Sequence, residues 1–203
     1  HSAMYVDRQV VNWCKQLMNF PLEASGILVS GGSMANITAL TVARNSFGKE
    51  KIRERGLKTA SAQLVLYCSV ETHSCIQKAA EIIGLGTEAV RKIGVNDRFE
   101  MKVDELEAQI QEDLKKGLLP FCIVGTSGTV NTGAIDPMDE LLAISRKYGL
   151  WFHVDGAYGA LAKLDPTYAD RLKAIEEADS LAFDLHKWLY VPYEVGCTLI
   201  RDA

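Results

Sequence analysis

Apolar runs alternate with helical patterns along most of this 203-residue chain. The first pattern places apolar residues at three- and four-residue steps from Val6 onward, which predicts an amphipathic helix ending before Pro21. Runs typical of buried strands occupy 26–32, 63–69, 89–95, 119–126, 150–155, 180–184 and 196–200. Helical patterns lie between most of them, at 33–47, 73–84, 103–116, 136–148 and 167–177.

Strands that are apolar on both faces and separated by helices are typical of a mostly parallel sheet covered by helices on both sides. The sequence has no internal repeat or low-complexity linker, so we expect one α/β domain with three layers. With 48% hydrophobic residues the chain can bury a full core. Its tryptophans, Trp13, Trp151 and Trp188, are expected to pack in or near that core.

The charge balance and the cysteines exclude several classes of protein. The formal net charge of −4 leaves no basic surplus for a nucleic acid or an anionic membrane. No apolar stretch approaches the roughly 20 residues that span a bilayer, and the first residues lack a signal-peptide pattern. The five cysteines have no paired spacing, which indicates neither a zinc site nor a disulfide framework. We therefore expect a cytoplasmic protein without a metal.

Small and polar residues interrupt the apolar pattern at the ends of predicted strands. In open α/β sheets, ligands bind outside the carboxyl ends of the strands. Gly31, Gly32 and Ser33 lie between a strand and a helix, where free N–H groups and the helix dipole suit a phosphate. The same residues also fit a plain tight turn with a serine N-cap. His73 begins the next predicted helix and fits a cap, a surface group or a catalytic group.

Asp155 and Lys187 are the strongest chemical signals in the sequence. The segment "WFHVDGAYGALA" leads an apolar strand into Asp155, whose carboxylate needs a cation or hydrogen bonds there, although it could also cap a loop. Lys187 follows about one helix and one strand later, in a run that otherwise indicates a buried strand and its exit. A partly desolvated lysine has a lowered pKa and can attack a carbonyl. Pyridoxal phosphate requires such a lysine, an acid for its ring nitrogen and a phosphate site.

The chain resembles the group II pyridoxal-phosphate-dependent amino-acid decarboxylases, which include the aromatic-L-amino-acid, glutamate and histidine decarboxylases. The resemblance lies in five segments that occur in this order: "SGGSMANITALTVAR", "VETHSCIQKAAEIIGLG", "GTSGTVNTGAIDP", "WFHVDGAYGA" and "DLHKWLYVPYEVG". It implies the large domain of fold type I, the pyridoxal-phosphate-dependent transferase fold. Residues 1–203 would form part of that domain, without the N-terminal segment, the mobile catalytic loop and the small C-terminal domain. It also implies a homodimer for the full-length protein and an inactive isolated fragment.

The resemblance implies roles for the residues around the cofactor ring. Lys187 would hold pyridoxal 5'-phosphate as the internal aldimine, and Asp155 would pair with the pyridinium nitrogen. His73 resembles the histidine that stacks on the ring, and Ala157 would pack against the opposite face. His73, Asp155 and Lys187 are therefore the predicted catalytic residues.

Further residues match the phosphate side of the family's site. Gly32 and Ser33 match the small residue and the serine that bind phosphate, and His186 matches the histidine beside the lysine, near the phosphate. Two positions depart from the pattern. Asp184 stands where many members have asparagine, and we assign it no contact because its charge would oppose the phosphate. Val130 stands where many members have a second hydroxyl.

These roles predict the decarboxylation of an L-amino acid to its amine and carbon dioxide. The "HVDGAYGA" and "HKWLYVPY" segments resemble the aromatic-type branch more than the glutamate branch. Because the bond that breaks depends on how the substrate is oriented, a carbon–carbon lyase or an aminotransferase of the same fold is the alternative. A third interpretation is a non-catalytic domain that keeps the fold for binding or assembly.

Overall fold

The computed structural model describes residues 2–47 and 51–202. Its α-helices are α1 (Ser2–Leu17), α2 (Gly32–Ser46), α3 (Ile52–Arg55), α4 (Cys75–Ile82), α5 (Val103–Lys115), α6 (Met138–Tyr148), α7 (Pro166–Ala169) and α8 (Leu185–Trp188). Its strands are β1 (Ser25–Val29), β2 (Leu64–Ser69), β3 (Val90–Ile93), β4 (Leu119–Thr126), β5 (Trp151–Asp155), β6 (Ser180–Asp184) and β7 (Gly196–Ile200). Short 3-10 helices cover Leu57–Thr59, Thr87–Ala89, Ala160–Leu164 and Asp170–Glu177.

The strands form one sheet in the order β1-β7-β6-β5-β4-β2-β3. Strands β2 to β6 run parallel to one another. Strand β7 lies between β1 and β6 and is antiparallel to both. The predicted mostly parallel sheet is confirmed, with β7 as its antiparallel member.

Helices cover both faces of the sheet and make it the middle of three layers. Successive side chains of a strand point to opposite faces, and in β2 they join two different apolar clusters. Leu64 and Leu66 belong to the cluster that contains side chains of α2 and α4. Val65 and Tyr67 belong to the cluster that contains side chains of α1, α5 and α6. The three-layer α/β architecture predicted from the sequence is therefore confirmed.

One edge of the sheet collects the ends of several strands. Thr126 at the end of β4 pairs with Asp155 at the end of β5. Gly196 of β7 pairs with Asp184 at the end of β6 and with Val29 at the end of β1. The chain therefore leaves β1, β4, β5 and β6 at the same edge, where the loops of an α/β sheet bind ligands.

The prediction of one α-helix over 167–177 was wrong. The segment begins in α7 and continues as a 3-10 helix over Asp170–Glu177. Leu172, Ile175 and Ala178 are all buried and lie three residues apart. That spacing matches the three residues per turn of a 3-10 helix, which keeps such side chains on one face.

The prediction that every tryptophan packs in or near the core was wrong for two of them. Trp13 is 55% exposed on α1, and Trp188 is 43% exposed, with its ring 5.6 Å from that of Tyr158. Trp151 is half-buried, and its Nε1 donates to Ser180 Oγ at 2.7 Å.

All five cysteines are free and buried. Within residues 2–47 and 51–202, no helix combines the length and the apolar character needed to cross a membrane. The same residues contain no cluster of His, Cys, Asp and Glu side chains that could hold a metal ion.

Candidate active site

A cleft of about 410 Å³ opens at the edge where these strands end. Every site residue predicted from the sequence lines it: Gly32, Ser33, His73, Asp155, Ala157, His186 and Lys187. They come from the start of α2, the approach to α4, the end of β5 and the one-turn helix α8. The fold thus brings together residues that lie far apart in the sequence.

The start of α2 forms a cradle for an anion. Gly31 is the N-cap, with φ 146°, a conformation that favours glycine. The first intrahelical hydrogen bond runs from Ala35 N to Gly31 O at 2.9 Å, so the N–H groups of the first turn have no partner within the helix. No side chain caps α2. The serine N-cap interpretation is therefore wrong, and Ser33 lies inside the first turn.

Asp155 places a buried carboxylate at the bottom of the cleft, with only 4% of the residue exposed. Its Oδ1 accepts hydrogen bonds from Asn36 Nδ2 and from Ala157 N, both at 3.2 Å. Burial raises the pKa of Asp155, and the Asn36 and Ala157 hydrogen bonds oppose that rise. The charges of His73 and Lys187 also act to lower the pKa of Asp155. A bound cation would relieve the remaining cost of burying this carboxylate.

Lys187 lies at the wall of the cleft in α8, which follows β6 directly. The expected strand exit is therefore a helical turn, and the lysine side chain is 36% exposed rather than buried. Its Nζ lies 2.8 Å from Oδ2 of Asp184, three residues earlier. This ion pair supplies the counter-charge that a partly desolvated ammonium requires.

Asp184 carries a buried carboxylate in the cleft that is only partly hydrogen-bonded. It is 3% exposed, and its Oδ1 has no hydrogen-bond partner among the described residues. A Cβ on Gly196 would lie 3.0 Å from this oxygen, and a Cβ on Gly32 would lie 3.3 Å from it. The departure from the family pattern at this position thus places a buried carboxylate beside the anion cradle.

The two histidines of the cleft are held by backbone groups. His73 is exposed, and its Nδ1 accepts a hydrogen bond from Cys75 N at 3.2 Å. One ring nitrogen of His73 therefore binds a backbone N–H at the start of α4, as the cap interpretation expects. The neutral ring then carries its proton on Nε2. His186 Nδ1 lies 2.9 Å from Val195 O, and its ring packs edge-on against Tyr193 at 4.9 Å.

Asn36 and Thr126 belong to the site although the sequence did not single them out. Asn36 is completely buried and reaches Asp155, whereas Thr126 lines the cleft and pairs its hydroxyl with Thr72 at 3.2 Å. Thr126 is a polar residue at the end of a buried strand, and this position could have marked it in the sequence as a candidate site residue. Val130 is 64% exposed at the cleft and contributes no hydroxyl there.

A parallel α/β sheet that carries a buried acid, a lysine and an anion-binding helix start in one cleft is typical of enzymes that use pyridoxal phosphate. The comparisons with known proteins define the family. The sequence model of the pyridoxal-dependent decarboxylase conserved domain matches residues 2–203. The chain therefore belongs to the pyridoxal-dependent decarboxylase family and has its fold type I architecture.

Individual relatives support the same assignment. The aromatic-L-amino-acid decarboxylase of Bacillus atrophaeus is 39% identical over 202 residues, which cover 100% of this chain and 40% of that protein. An acidic amino acid decarboxylase of Xenopus tropicalis is 41% identical over 180 residues, or 89% of this chain and 35% of that protein. The crystal structure of the glutamate decarboxylase domain of diaminobutyrate-pyruvate transaminase and L-2,4-diaminobutyrate decarboxylase from Vibrio parahaemolyticus is 36% identical, with a TM-score of 0.93. The match covers 99% of this chain and 44% of the Vibrio parahaemolyticus chain.

The residues of the cleft fit pyridoxal phosphate, the cofactor of this family. The first turn of α2 offers backbone N–H groups to a phosphate, and the buried Asp155 suits a protonated ring nitrogen. Lys187 lines the same cleft as these two features. Asp184 places a buried negative charge beside the cradle and opposes an anion there.

Gly32→Ala is expected to weaken the binding of pyridoxal phosphate by at least about tenfold. The added Cβ would lie 2.8 Å from Ala157 Cβ and 2.9 Å from Asp184 Oδ2, so the cradle would have to widen. Fluorescence titration of the protein with the cofactor measures the change. Gly94→Ala is the matched control, because the three atoms nearest to its added Cβ belong to the flexible end of Glu105. Equal affinities for the two variants would show that Gly32 is not part of the cofactor site.

His153 is expected to make the protein less stable as the pH falls. It is completely buried behind Asp155, and burial lowers its pKa to about 4. The unfolded chain takes up this proton near the ordinary pKa of about 6.5. The free energy of unfolding should therefore fall between about pH 6.5 and 4, by about 3 kcal/mol in total from this group.

Urea unfolding of the wild type and of His153→Gln between pH 7 and 4 tests this expectation. The stability difference between the two proteins should shift by that amount in favour of the variant, because glutamine does not titrate. Asp136, whose pKa burial raises to about 6, acts in the opposite direction but is common to both proteins. Parallel profiles for wild type and His153→Gln would show that His153 titrates normally.

Proposed function

We propose that the full-length protein uses pyridoxal phosphate to decarboxylate an L-amino acid, giving the amine and carbon dioxide. The observation that carries the proposal is the shared cleft of Asp155 and Lys187: a carboxylate only 4% exposed opens into the same space as the lysine amine. The family match over residues 2–203 supports the cofactor and the class of reaction. The chain spans 35% to 44% of the length of the relatives described above, so the activity is proposed for the whole protein.

We assign the roles around the ring to four residues. Lys187 would provide the amine that holds the cofactor. Asp155 would accept a hydrogen bond from the ring nitrogen and keep it protonated, and the bound cofactor would supply an acceptor for electrons. His73 would cover one face of the ring and Ala157 the other. Each of them lines the cleft, which supports the assignment.

The phosphate side is assigned to the start of α2. The backbone N–H groups of Gly32 and Ser33, together with the Ser33 hydroxyl, bind the phosphate, and the dipole of α2 favours its negative charge. His186 lies near enough to Asp184 to offset its charge when protonated, with 3.9 Å between His186 Nε2 and Asp184 Oδ2. This arrangement supports phosphate binding beside a carboxylate.

We infer that the substrate side chain is aromatic rather than acidic. Among the described residues that line the cleft, Lys187 is the one lysine or arginine, and its charge is already paired with Asp184. Glu194 adds a further acidic group to the lining, and Tyr158 and Tyr193 add aromatic rings. An acidic side chain would meet like charge here, whereas an aromatic ring would meet rings.

Product analysis of the full-length protein tests the reaction and the substrate class together. The protein is loaded with pyridoxal phosphate and incubated separately with L-tyrosine, L-tryptophan, L-aspartate and L-glutamate. Carbon dioxide with an equal amount of amine from the aromatic substrates is the expected result. Release from the acidic substrates alone would overturn the substrate class. An aldehyde or keto acid without carbon dioxide would favour the lyase or aminotransferase alternative, and no product from any amino acid would favour a non-catalytic domain.

We also propose that the full-length protein is a cytoplasmic homodimer and that residues 1–203 form part of its large domain. Tyr190 and Tyr193 are 91% and 82% exposed beside the cleft, which supports a covering partner surface. The five free cysteines support a reducing compartment. Sedimentation of the cofactor-loaded full-length protein should give twice the mass of one chain, and a monomer mass would contradict the dimer.

A further inference from the structure

A chain of buried hydrogen bonds runs from Asp155 away from the cleft into the protein. Asn36 Nδ2 lies 3.2 Å from Asp155 Oδ1, and Asn36 Oδ1 lies 2.7 Å from His153 Nε2. His153 Nδ1 in turn lies 2.9 Å from Ser180 Oγ, which also accepts from Trp151 Nε1 at 2.7 Å. Asn36, His153 and Ser180 are all completely buried. We refer to Trp151, Ser180, His153 and Asn36 as the Asp155 relay.

The direction of each hydrogen bond in the relay follows from the donors and acceptors present and from the protonation state of His153. Asn36 Nδ2 faces two groups that only accept, the Asp155 carboxylate and Gly32 O at 2.8 Å, so it must be the amide nitrogen. Its Oδ1 therefore accepts, and His153 Nε2 carries the proton. His153 is neutral because burial lowers its pKa to about 4, which leaves Nδ1 as an acceptor for the Ser180 hydroxyl.

Every donor in the relay therefore points toward Asp155. Trp151 donates to Ser180, Ser180 to His153, and His153 to Asn36, which donates to the carboxylate. Hydrogen bonds aligned in this way polarise one another in a low-dielectric interior. A carboxylate that ends such a chain is stabilised in its charged form, against the burial that favours the neutral acid.

We propose that Asn36 and His153 are positioning residues that orient the Asp155 carboxylate and hold it charged for a cationic ring nitrogen. The proposal rests on the proposed function, because it requires a ligand with such a nitrogen. Asn36 also donates to the Gly32 carbonyl at the phosphate cradle. The Asn36 amide therefore links Asp155, the group proposed for the ring nitrogen, to Gly32, a residue proposed for the phosphate.

The test compares the affinities of the full-length protein for pyridoxal phosphate and for its 1-deaza analogue, in which a carbon replaces the ring nitrogen. The wild type should prefer pyridoxal phosphate by about tenfold or more, since the analogue cannot donate to the charged carboxylate. In Asn36→Leu this preference should fall at least about threefold, toward equal affinities. Fluorescence titration gives both constants without turnover.

Thr198→Val is the matched control. Thr198 is completely buried and donates to Ala35 O on the same helix at 3.0 Å, but it is not part of the relay. Thr198→Val should change the affinities for pyridoxal phosphate and for the 1-deaza analogue by the same factor. The preference should therefore stay at the wild-type value. If Asn36→Leu also leaves the preference unchanged, Asn36 acts only on the structure and the proposal is overturned. A wild type that binds neither compound would instead overturn the proposed function.

A second pair of variants tests the relay if Asn36→Leu does not fold. His153→Phe keeps a ring but cannot donate to Asn36, so the preference should fall. His153→Gln restores a donor at this position, so part of the preference should return. Equal preferences in His153→Phe, His153→Gln and the wild type would overturn the role of His153, and thermal unfolding establishes that each variant compared is folded.

Discussion

Lys187→Ala is expected to abolish the covalent retention of pyridoxal phosphate and to lower turnover of the full-length protein by at least about 10³-fold. The amine of Lys187 is the nucleophile proposed for the cleft, and α8 and β6 contain no other lysine. Borohydride reduction followed by mass spectrometry measures the retention directly. The wild type should carry the reduced adduct on the peptide that contains residue 187, and the variant should carry none.

One further variant separates the amine from its charge, and another serves as the control. Lys187→Arg keeps a cation opposite Asp184 but cannot form the covalent bond, so it should behave like the alanine variant. Lys115→Ala removes an exposed lysine in the last turn of α5 and should retain the adduct in full. An adduct of wild-type yield on another lysine in Lys187→Ala would refute the role proposed for Lys187.

Asp155→Asn is expected to lower turnover by about 10² to 10⁴-fold while the protein stays folded. Asparagine can still accept the hydrogen bonds from Asn36 and Ala157 through its oxygen, but it carries no charge for the ring nitrogen. Burial raises the pKa of Asp155 in the folded protein, so ionisation of this carboxyl disfavours the folded state. The free energy of unfolding therefore falls as the pH rises through that pKa. The variant without cofactor should therefore be at least as stable as the wild type at pH 7.

Steady-state kinetics and urea unfolding of the same preparation test both parts of this prediction. A fall in turnover together with an unchanged or higher free energy of unfolding is the expected combination. Asp139→Asn alters an exposed carboxylate in the first turn of α6 and should change neither quantity strongly. Wild-type turnover in Asp155→Asn would exclude the electrostatic role, whereas loss of folding would assign Asp155 a structural one.

The layers of the fold could be predicted from the sequence because its strands are buried on both faces. Strand β2 is buried at every position, so it forms a continuous apolar run that is recognisable without tertiary information. The direction of β7 had no such signal, since an antiparallel strand between two neighbours has the same composition as a parallel one. Direction is decided by pairing over long sequence distances, as between Ser25 and Ile200.

The candidate site was visible where a charged residue interrupts an apolar run. Asp155 and Lys187 gave that signal, and both line the cleft. Asn36 gave none, because an amide within a helix looks like a surface residue until its neighbours are known. The ion pair between Lys187 and Asp184 depends on the helical turn of α8, which is too short to be recognised in the sequence.

The position of β1 has a consequence for the order in which the protein folds. Strand β1 leads into the anion cradle. In the part of the chain that the structure describes, its one partner strand is β7, and the paired residues lie far apart in the sequence, as Ser25 and Ile200 do. Contacts of this kind carry a high entropic cost of loop closure and tend to form late. A growing chain on the ribosome can pair β2 to β6 before residues 196–200 emerge. The cradle is completed only when β7 joins β1 to β6, so cofactor capture should follow the closing of this sheet.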